Sequence, residues 1–359
     1  MRKVIQLATI ALLIGLCSDS LRAAQEPVRG EWESGVNRWN GIESLYVCLK
    51  SSSLDGRSRF SNCFDTHNEN LKGLNFTPGS SVSAPAHLEL IRDAGTFILD
   101  GQFQNGKGGG EYRFQPSADY VAGMKALGYG ELSLDQVFNL ALRDVSRDFI
   151  NSLKSLGYNE LPLDGLVRLR DHGVSIAFIT DMKALGYSGL SLDDLVRLRD
   201  HGVSAKFASE LARLGYKDRP IEELVRLRDH GVSTKFMQEM KAAGYDGLSL
   251  EQFVRMRDHG VGSEFVRALN EAGYKNLPVE ELIRLRDHGV GANYAREMKT
   301  LGYDKLSTGD LVRLRDHGVS TSFVKKLSDA GYKDLSVDQL VDIRNRGIDV
   351  EFLKSLKKN

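Results

Sequence analysis

The residues of this sequence that could do chemistry are histidines repeated at one fixed spacing. Six of the eight histidines lie in the string Arg-Asp-His-Gly-Val, and successive copies are 29 residues apart. They are His172, His201, His230, His259, His288 and His317. Because imidazole binds metals and exchanges protons near neutral pH, this pattern raises the hypothesis of a metal site or a proton relay.

Geometry argues against a shared metal ion. Packed helices lie about 10 Å apart, whereas protein ligands bind zinc at about 2 Å, so histidines of neighbouring repeats cannot reach one ion. Each repeat supplies one such His, no Cys and no second ligand at the i+4 position. We therefore predict neither a metal nor a cofactor. We interpret each His as a residue of a last helical turn, where its donor group or positive charge meets free carbonyls.

The second arginine of each motif faces the apolar side of its predicted helix. At about 100° per residue, Arg199 falls within the apolar arc that includes Leu195 and Leu198. A guanidinium there needs a partner, because an unpaired buried charge is costly. We predict a ladder of arginine–carboxylate pairs within or between repeats. Its arginines are Arg170, Arg199, Arg228, Arg257, Arg286 and Arg315, and its aspartates are Asp171, Asp200, Asp229, Asp258, Asp287 and Asp316.

The first arginine of each motif points away from that apolar side. We expect this residue on an exposed face, partly paired with acids three or four residues earlier. Such a row is either solvated surface or a binding stripe for anionic partners. Its members are Arg168, Arg197, Arg226, Arg255, Arg284 and Arg313.

Helical hairpins must position these side chains. The dipeptide Gly-Tyr occurs eight times at the same 29-residue period, from Gly128-Tyr129 to Gly331-Tyr332. Such regularity is typical of repeats that stack on their neighbours. In one repeat, Ser191 caps a first helix and Ser204 caps a second, and a glycine ends each of them. The first and last repeats deviate from the motif, as repeats with one water-facing side should.

The chain before the repeats shows strand periodicity, from residue 30 to about residue 116. Thr96–Phe103 and Glu111–Phe114 flank the string Asn-Gly-Lys-Gly-Gly-Gly at 105–110, which predicts a β-hairpin. The same glycines do not make a phosphate loop, because they lack the Gly-Lys-Ser/Thr ending and precede a strand.

The N-terminus has the order of a secretory signal peptide. Two basic residues precede an apolar stretch to Cys17, and small residues follow at Ala23 and Ala24, either of which fits as the cleavage position. A retained anchor or a lipid attached at Cys17 is the alternative. We predict a signal peptide over residues 1–24, no membrane span after its removal, and a periplasmic or secreted protein.

Removal of that segment leaves two cysteines, Cys48 and Cys63, in neighbouring strand-like segments. In an oxidising compartment this arrangement predicts a disulfide. Two buried thiols are the alternative. No cysteine lies beyond Cys63, so packing alone must hold the repeats together.

Composition excludes further classes of function. The 359 residues carry 48 basic and 48 acidic side chains, so the chain lacks the positive excess of a dedicated nucleic-acid binder. It contains no His-Glu-x-x-His, Gly-x-Ser-x-Gly, Walker-type loop or Cys-x-x-Cys. We therefore predict no nucleic-acid partner and no enzyme activity. An enzyme whose site is assembled from residues distant in sequence is the less favoured alternative.

One combination of motifs carries a family resemblance. The run Leu-Glu-Leu-Ile-Arg-Asp-Ala-Gly-Thr-Phe at 88–97 precedes the glycine-rich turn, Tyr-Arg-Phe-Gln-Pro at 112–116 and the Leu-Gly-Tyr repeats. Over roughly residues 85–359, this resembles the non-catalytic C-terminal region of bacterial membrane metallopeptidases of the β-lactam-sensor type and of related uncharacterised exported proteins. The resemblance implies an exported bacterial accessory module. This sequence lacks the His-Glu-x-x-His helix of the peptidase domain, so no catalytic residue carries over.

Together these patterns predict an α+β fold. A small antiparallel β domain over residues 25–117, with Trp32 and Trp39 in its core, precedes an α-solenoid of about eight 29-residue helical hairpins over residues 118–359. We expect an interaction protein whose repeats bind a protein partner or a cell-envelope component. Paired positions such as Ile176-Ala177, Ala205-Lys206, Thr234-Lys235 and Ser263-Glu264 vary between repeats, as a binding face would. A sensory module, with a small ligand bound by the β domain, is the alternative.

Overall fold

The computed structural model describes residues 28–39, 42–52, 59–65, 71–73, 83–348 and 350. The predicted signal peptide lies outside these residues. The predicted α+β fold is confirmed, because an antiparallel sheet precedes a region of helical hairpins. The chain divides into two compact units, residues 1–170 and 171–359. The first unit therefore contains helices as well as the sheet.

Seven strands form one antiparallel sheet in the described part of the first unit. They are β1 (Arg29–Trp39), β2 (Ile42–Ser52), β3 (Arg59–Asp65), β4 (Leu71–Lys72), β5 (Ala84–Arg92), β6 (Gly95–Gln104) and β7 (Lys107–Pro116). Their order across the sheet is β3-β2-β1-β7-β6-β5-β4. The first and last strands in sequence are thus neighbours at the centre of the sheet.

Sixteen helices follow in the described chain. The first unit holds α1 (Ala118–Ala126), α2 (Leu134–Leu142) and α3 (Arg147–Ser155), and α4 (Leu163–Asp171) ends at the boundary. The second unit holds α5 (Ile176–Ala184), α6 (Leu192–Asp200), α7 (Ala205–Arg213), α8 (Ile221–Asp229), α9 (Thr234–Ala242), α10 (Leu250–Asp258), α11 (Ser263–Ala272), α12 (Val279–Asp287), α13 (Ala292–Thr300), α14 (Thr308–Asp316), α15 (Thr321–Asp329) and α16 (Val337–Asn345).

The β6–β7 hairpin has a shorter turn than the glycine-rich string predicted. Only Asn105 and Gly106 separate the strands, and both have positive φ, 50° and 75°, as a two-residue hairpin turn requires. The later glycines of the string belong to β7 and pair with residues of β6. Gly110 is required there by close approach, because a Cβ atom would lie 2.1 Å from the carbonyl oxygen of Asp100.

Aromatic side chains of the sheet and of α2 form the core of the first unit. The ring of Phe138 on α2 lies 5.7 Å from that of Phe97 and 5.4 Å from that of Phe114, measured between centroids. Trp32 is buried, and its indole N–H donates to the carbonyl of Asp100 at 3.1 Å. The side chain of Trp39 lies outside the described part of the chain. Burial of these rings fixes α2 against β6 and β7.

Cys48 and Cys63 form a disulfide in the structure. They face each other in the register of β2 and β3, and they are 15 residues apart in sequence. The bond therefore links β3 covalently to β2, in addition to their backbone pairing.

One hairpin of the second unit shows how local sequence specifies the helices. Ser191 caps α6 by accepting from the Asp194 N–H, and the Asp194 carboxylate accepts from the Ser191 N–H in return. Gly202, at φ 68°, ends this helix in the left-handed conformation. Ser204 then caps α7 through the N–H of Phe207. The predicted pair of short helices is confirmed.

Neither helix of such a hairpin buries its apolar side alone. Leu195 and Leu198 of α6, Val203 of the turn, and Phe207 and Leu211 of α7 are all buried. Helices of nine residues are too short to be stable in isolation, so packing between hairpins supplies their stability. No helix of the described residues has the length and apolar character needed to cross a membrane.

Candidate functional site

The second arginine of each motif stacks on an aromatic ring of the preceding hairpin. The distance from guanidinium carbon to ring centroid lies between 5.0 and 5.4 Å throughout, within the range of a cation–π contact. The pairs are Arg170–Phe149 in the first unit and Arg199–Phe178, Arg228–Phe207, Arg257–Phe236, Arg286–Phe265, Arg315–Tyr294 and Arg344–Phe323 in the second.

These arginines do not pair with the motif aspartates as predicted. Arg228 Nε instead donates to the backbone carbonyl of Gly202 at 3.0 Å, and Arg315 Nε does the same to Gly289 at 2.9 Å. Arg170 does bind a carboxylate, at 2.9 Å, but its partner is Asp144, which lies outside the motif. The ring supplies an apolar yet electron-rich surface, so a half-buried guanidinium can be accommodated there without a carboxylate.

The motif aspartates bind the histidines of the preceding repeat. Nδ1 of each imidazole lies 2.6 to 2.8 Å from a carboxylate oxygen in five consecutive pairs, which we call the His–Asp rungs. They are His172–Asp200, His201–Asp229, His230–Asp258, His259–Asp287 and His288–Asp316. In the sixth position, His317 contacts the side-chain oxygen of Asn345 at 2.9 Å.

The rungs revise the predicted role of the histidines. From His201 to His317, the backbone N–H of each motif His donates to a helix carbonyl, as in His201 to Arg197, whereas the imidazole contacts a side chain of the next repeat. The side chain is therefore available to the neighbouring repeat. Within the described residues, no three His, Cys, Asp or Glu side chains converge as a metal site.

The first arginines also link repeats, where the prediction had placed their partners within the same helix. Arg197, Arg226, Arg255 and Arg313 each bind an acid in the first turn of a helix one repeat later. Only Arg284 has the expected partner three residues earlier, Glu281 at 3.4 Å, among the pairs described. The acids of the other pairs are Glu222, Glu251, Glu280 and Asp338. All these arginines are about half exposed, so each pair contributes little to stability.

The tyrosines of the Gly-Tyr dipeptides form a contact that sequence reasoning missed. The hydroxyl of Tyr187 donates to the carbonyl of Arg219 at 2.9 Å, and Tyr245 and Tyr274 donate to the equivalent loop of the next repeat at 2.8 and 2.9 Å. Burial raises the pKa of all three phenols above 10.0. They therefore remain neutral donors at physiological pH. The 29-residue period had singled out these tyrosines in the sequence. Ending a helix accounts for the glycine before each tyrosine, but it gives the tyrosine itself no role.

A separate cluster joins the sheet to the first helices within the first unit. Arg147, the first residue of α3, donates to both carboxylate oxygens of Asp93 at 3.0 and 2.7 Å, and its backbone N–H adds a third bond at 2.8 Å. Asp119 binds the same guanidinium at 2.8 Å. Burial by itself raises the pKa of Asp93, but the hydrogen bonds and charge of Arg147 outweigh it and hold that pKa below its usual range. The cluster is thus a structural anchor.

The predicted variable pairs of the second helix divide into two roles. Thr234 and Ser263 are buried and donate at 2.6 Å to Glu210 and Glu239 of the preceding hairpin. The second member of each pair is exposed and differs in chemistry from repeat to repeat. We call the exposed position at this place in α7, α9, α11, α13 and α15 the variable face, and its members are Lys206, Lys235, Glu264, Asn293 and Ser322. Ala177 is the exposed residue at the equivalent place in α5.

No protein-family model matches the chain, and no curated protein is similar to it. The candidate site therefore rests on geometry, in which the motif side chains join repeats and the variable face points to solvent.

Proposed function

We propose that the protein is an exported, non-enzymatic repeat scaffold that binds another protein or a cell-envelope component. One observation carries this proposal: the titratable and charged side chains of the repeat motifs contact groups of neighbouring repeats. The imidazoles bind aspartates, the arginines stack on rings or pair with acids, and the tyrosines donate to backbone carbonyls. Contacts of this kind fix neighbouring repeats relative to one another, so that the exposed residues of the array form a defined binding surface.

The variable face supplies the second argument. Its five positions carry positive, negative and neutral side chains on one regular frame. A repeat array distinguishes partners through such positions while its framework residues stay constant. The predicted export and the resemblance to an accessory module of exported proteins fit a partner in the periplasm, on the cell surface or outside the cell.

Capture from the native cell-envelope fraction tests this function. The tagged full-length protein is compared with a variant that carries Lys206→Ser, Lys235→Ser and Glu264→Ser on the variable face. We expect the variant to retain at most about a tenth of the captured partner, since loss of a few central contacts costs at least tenfold in affinity.

A matched control separates the variable face from the remaining surface. Lys217→Ser, Lys275→Ser and Asp304→Ser make the same net change in charge at exposed loop positions. The control should capture as much as the unaltered protein. Equal capture by all three proteins, or enrichment of nothing over a tag-only sample, would contradict the scaffold proposal.

A further inference from the structure

The second arginine of each Arg-Asp-His-Gly-Val motif in the second unit carries a charge that no carboxylate in the described residues neutralises within 4.0 Å. The nearby motif aspartates are already bound to histidines in the His–Asp rungs. We call these residues the arginine row, and they are Arg199, Arg228, Arg257, Arg286 and Arg315. All five are half-buried or exposed, so solvent reaches each side chain.

Each guanidinium of the row is stacked on an aromatic ring, and a hydrogen bond from Nε further orients two of them, Arg228 and Arg315. The Arg228 guanidinium lies over the ring of Phe207 at 5.3 Å, and its Nε donates to the carbonyl of Gly202 at 3.0 Å. Its Nη2 lies only 3.4 Å from where a Cβ atom on Gly202 would be. Because every guanidinium plane of the row is stacked, and Nε of Arg228 and of Arg315 is also engaged, little side-chain entropy remains to be lost when the terminal nitrogens bind an acceptor.

The first unit shows which acceptor such a guanidinium takes. Arg170 repeats the stacking, on Phe149 at 5.3 Å, and its Nε likewise donates to a backbone carbonyl, that of Arg143, at 2.9 Å. Asp144 stands where the later repeats have glycine, and its carboxylate binds Nη2 of Arg170 at 2.9 Å. Asp144 adopts φ 52°, close to the 68° of Gly202. Among the stacked arginines of the described residues, Arg170 thus has a bound carboxylate, whereas the five members of the row and Arg344 have none within 4.0 Å.

We propose that the arginine row binds the carboxylates of an acidic protein segment. This deepens the scaffold function proposed above and rests on it. Neighbouring helical hairpins are spaced by about 10 Å, and a polyproline II segment advances about 3.1 Å per residue with three residues per turn, so that every third side chain lies on the same side. A segment with an acid at every third residue thus matches the row, with each acid bound by the terminal nitrogens of one arginine.

Two features favour an acidic protein segment over a continuous polyanion such as a nucleic acid. The chain has no net charge, so it lacks the field that concentrates phosphate polymers. The observed acceptor at Arg170 is itself a side-chain carboxylate.

Fluorescence anisotropy with a labelled peptide tests the proposal. The peptide carries glutamate at every third position, its counterpart carries glutamine there, and the protein is the full-length chain. We expect the glutamate peptide to bind at least about tenfold more tightly than the glutamine peptide, with binding that weakens as salt increases. We expect Arg228→Gln, Arg257→Gln and Arg286→Gln together to abolish that preference. Equal loss in the control variant, Arg226→Gln, Arg255→Gln and Arg284→Gln, would show a non-specific charge effect and overturn the proposal.

A second variant tests the row without removing any arginine. Gly202→Asp, Gly231→Asp and Gly260→Asp place a carboxylate beside three arginines, as Asp144 does beside Arg170. This variant should lose the glutamate preference, whereas the matched Gly→Asn variant, with the same backbone demand and no charge, should retain it. Retention of the preference in the Asp variant, or binding of a phosphate polymer in place of the peptide, would refute the acidic-segment proposal. Such a result would not contradict the scaffold function, because partner capture through the variable face is measured in a separate experiment.

Discussion

The guanidinium carbon of Arg257 lies 5.2 Å from the centroid of the Phe236 ring, one hairpin earlier in the chain. Phe236 is 5% exposed, so the ring belongs to the core while one of its faces meets the cation. The same pairing recurs at every junction described in the second unit from Arg199 to Arg344. The contact therefore places a charged arginine side chain against the aromatic core of the preceding hairpin.

The energy of this contact is measurable by a double-mutant cycle. Phe236→Leu and Arg257→Gln, alone and combined, should show a coupling of about 0.5–1 kcal/mol in urea unfolding, since the leucine keeps the apolar bulk but removes the ring's charge distribution. As a control, Phe236→Leu combined with Arg255→Gln should be additive, because Arg255 binds Glu280 instead. Equal coupling in both cycles would contradict a specific contact with the ring.

The His–Asp rungs predict different effects for two substitutions at one position. Asp258 accepts from His230 at 2.6 Å, and Asn345 accepts from His317 in the equivalent geometry at 2.9 Å. Asp258→Asn should therefore lower the free energy of unfolding by less than about 0.5 kcal/mol, and Asp258→Ala by about 1 kcal/mol, because only the alanine removes the acceptor. Urea unfolding at neutral pH measures both values. If the Asn and Ala variants are equally destabilised, the hydrogen bond is not the stabilising element.

The Asp93–Arg147 pair predicts a pH dependence of stability. The pKa of Asp93 is lower in the folded than in the unfolded protein, so its stabilisation is complete above the unfolded value of about 3.9 and is lost as pH falls through the lower folded value. Asp93→Asn should cost about 1–3 kcal/mol at pH 7.

Thermal unfolding at a series of pH values measures this effect. The difference between wild type and Asp93→Asn should be constant near neutrality and should shrink below the unfolded pKa of Asp93. Asp119→Asn serves as the control, because that carboxylate is largely exposed and its loss should leave the pH profile almost unchanged. A difference between wild type and Asp93→Asn that stays constant into strong acid would refute the assignment.

Removal of the disulfide should destabilise the sheet and leave the helical hairpins intact. The bond closes a segment of 15 residues, for which the chain-entropy estimate is about 3 kcal/mol. Cys48→Ala with Cys63→Ala should therefore lower the stability of the sheet by about that amount, measured through Trp fluorescence. Helical circular dichroism of the folded variant should match that of the wild type.

A reducing agent provides the complementary measurement. It should bring the stability of the wild type down to that of the double variant and should have no effect on the variant itself. An equal effect of the reductant on both proteins would show that Cys48–Cys63 is not the bond responsible.

The sequence by itself determined the elements of this protein. Capping residues such as Ser191 and Ser204, the glycines after each helix and the apolar spacing act within a few residues, so the hairpins and their period were predictable. The β6–β7 hairpin was predictable for the same reason. Its turn is shorter than predicted, because the later glycines of the string belong to β7, where Gly110 permits the close approach of β6. Local rules could not supply that contact.

Only the tertiary structure decided what the motif residues do. His201 and Asp229 are 28 residues apart in sequence, and their contact depends on how one hairpin packs against the next. Arg199 was correctly expected to need a partner, but that partner is the ring of Phe178, which no rule of spacing within one helix identifies. Packing fixes the offset between neighbouring hairpins, so it selects which of several chemically suitable groups each side chain meets.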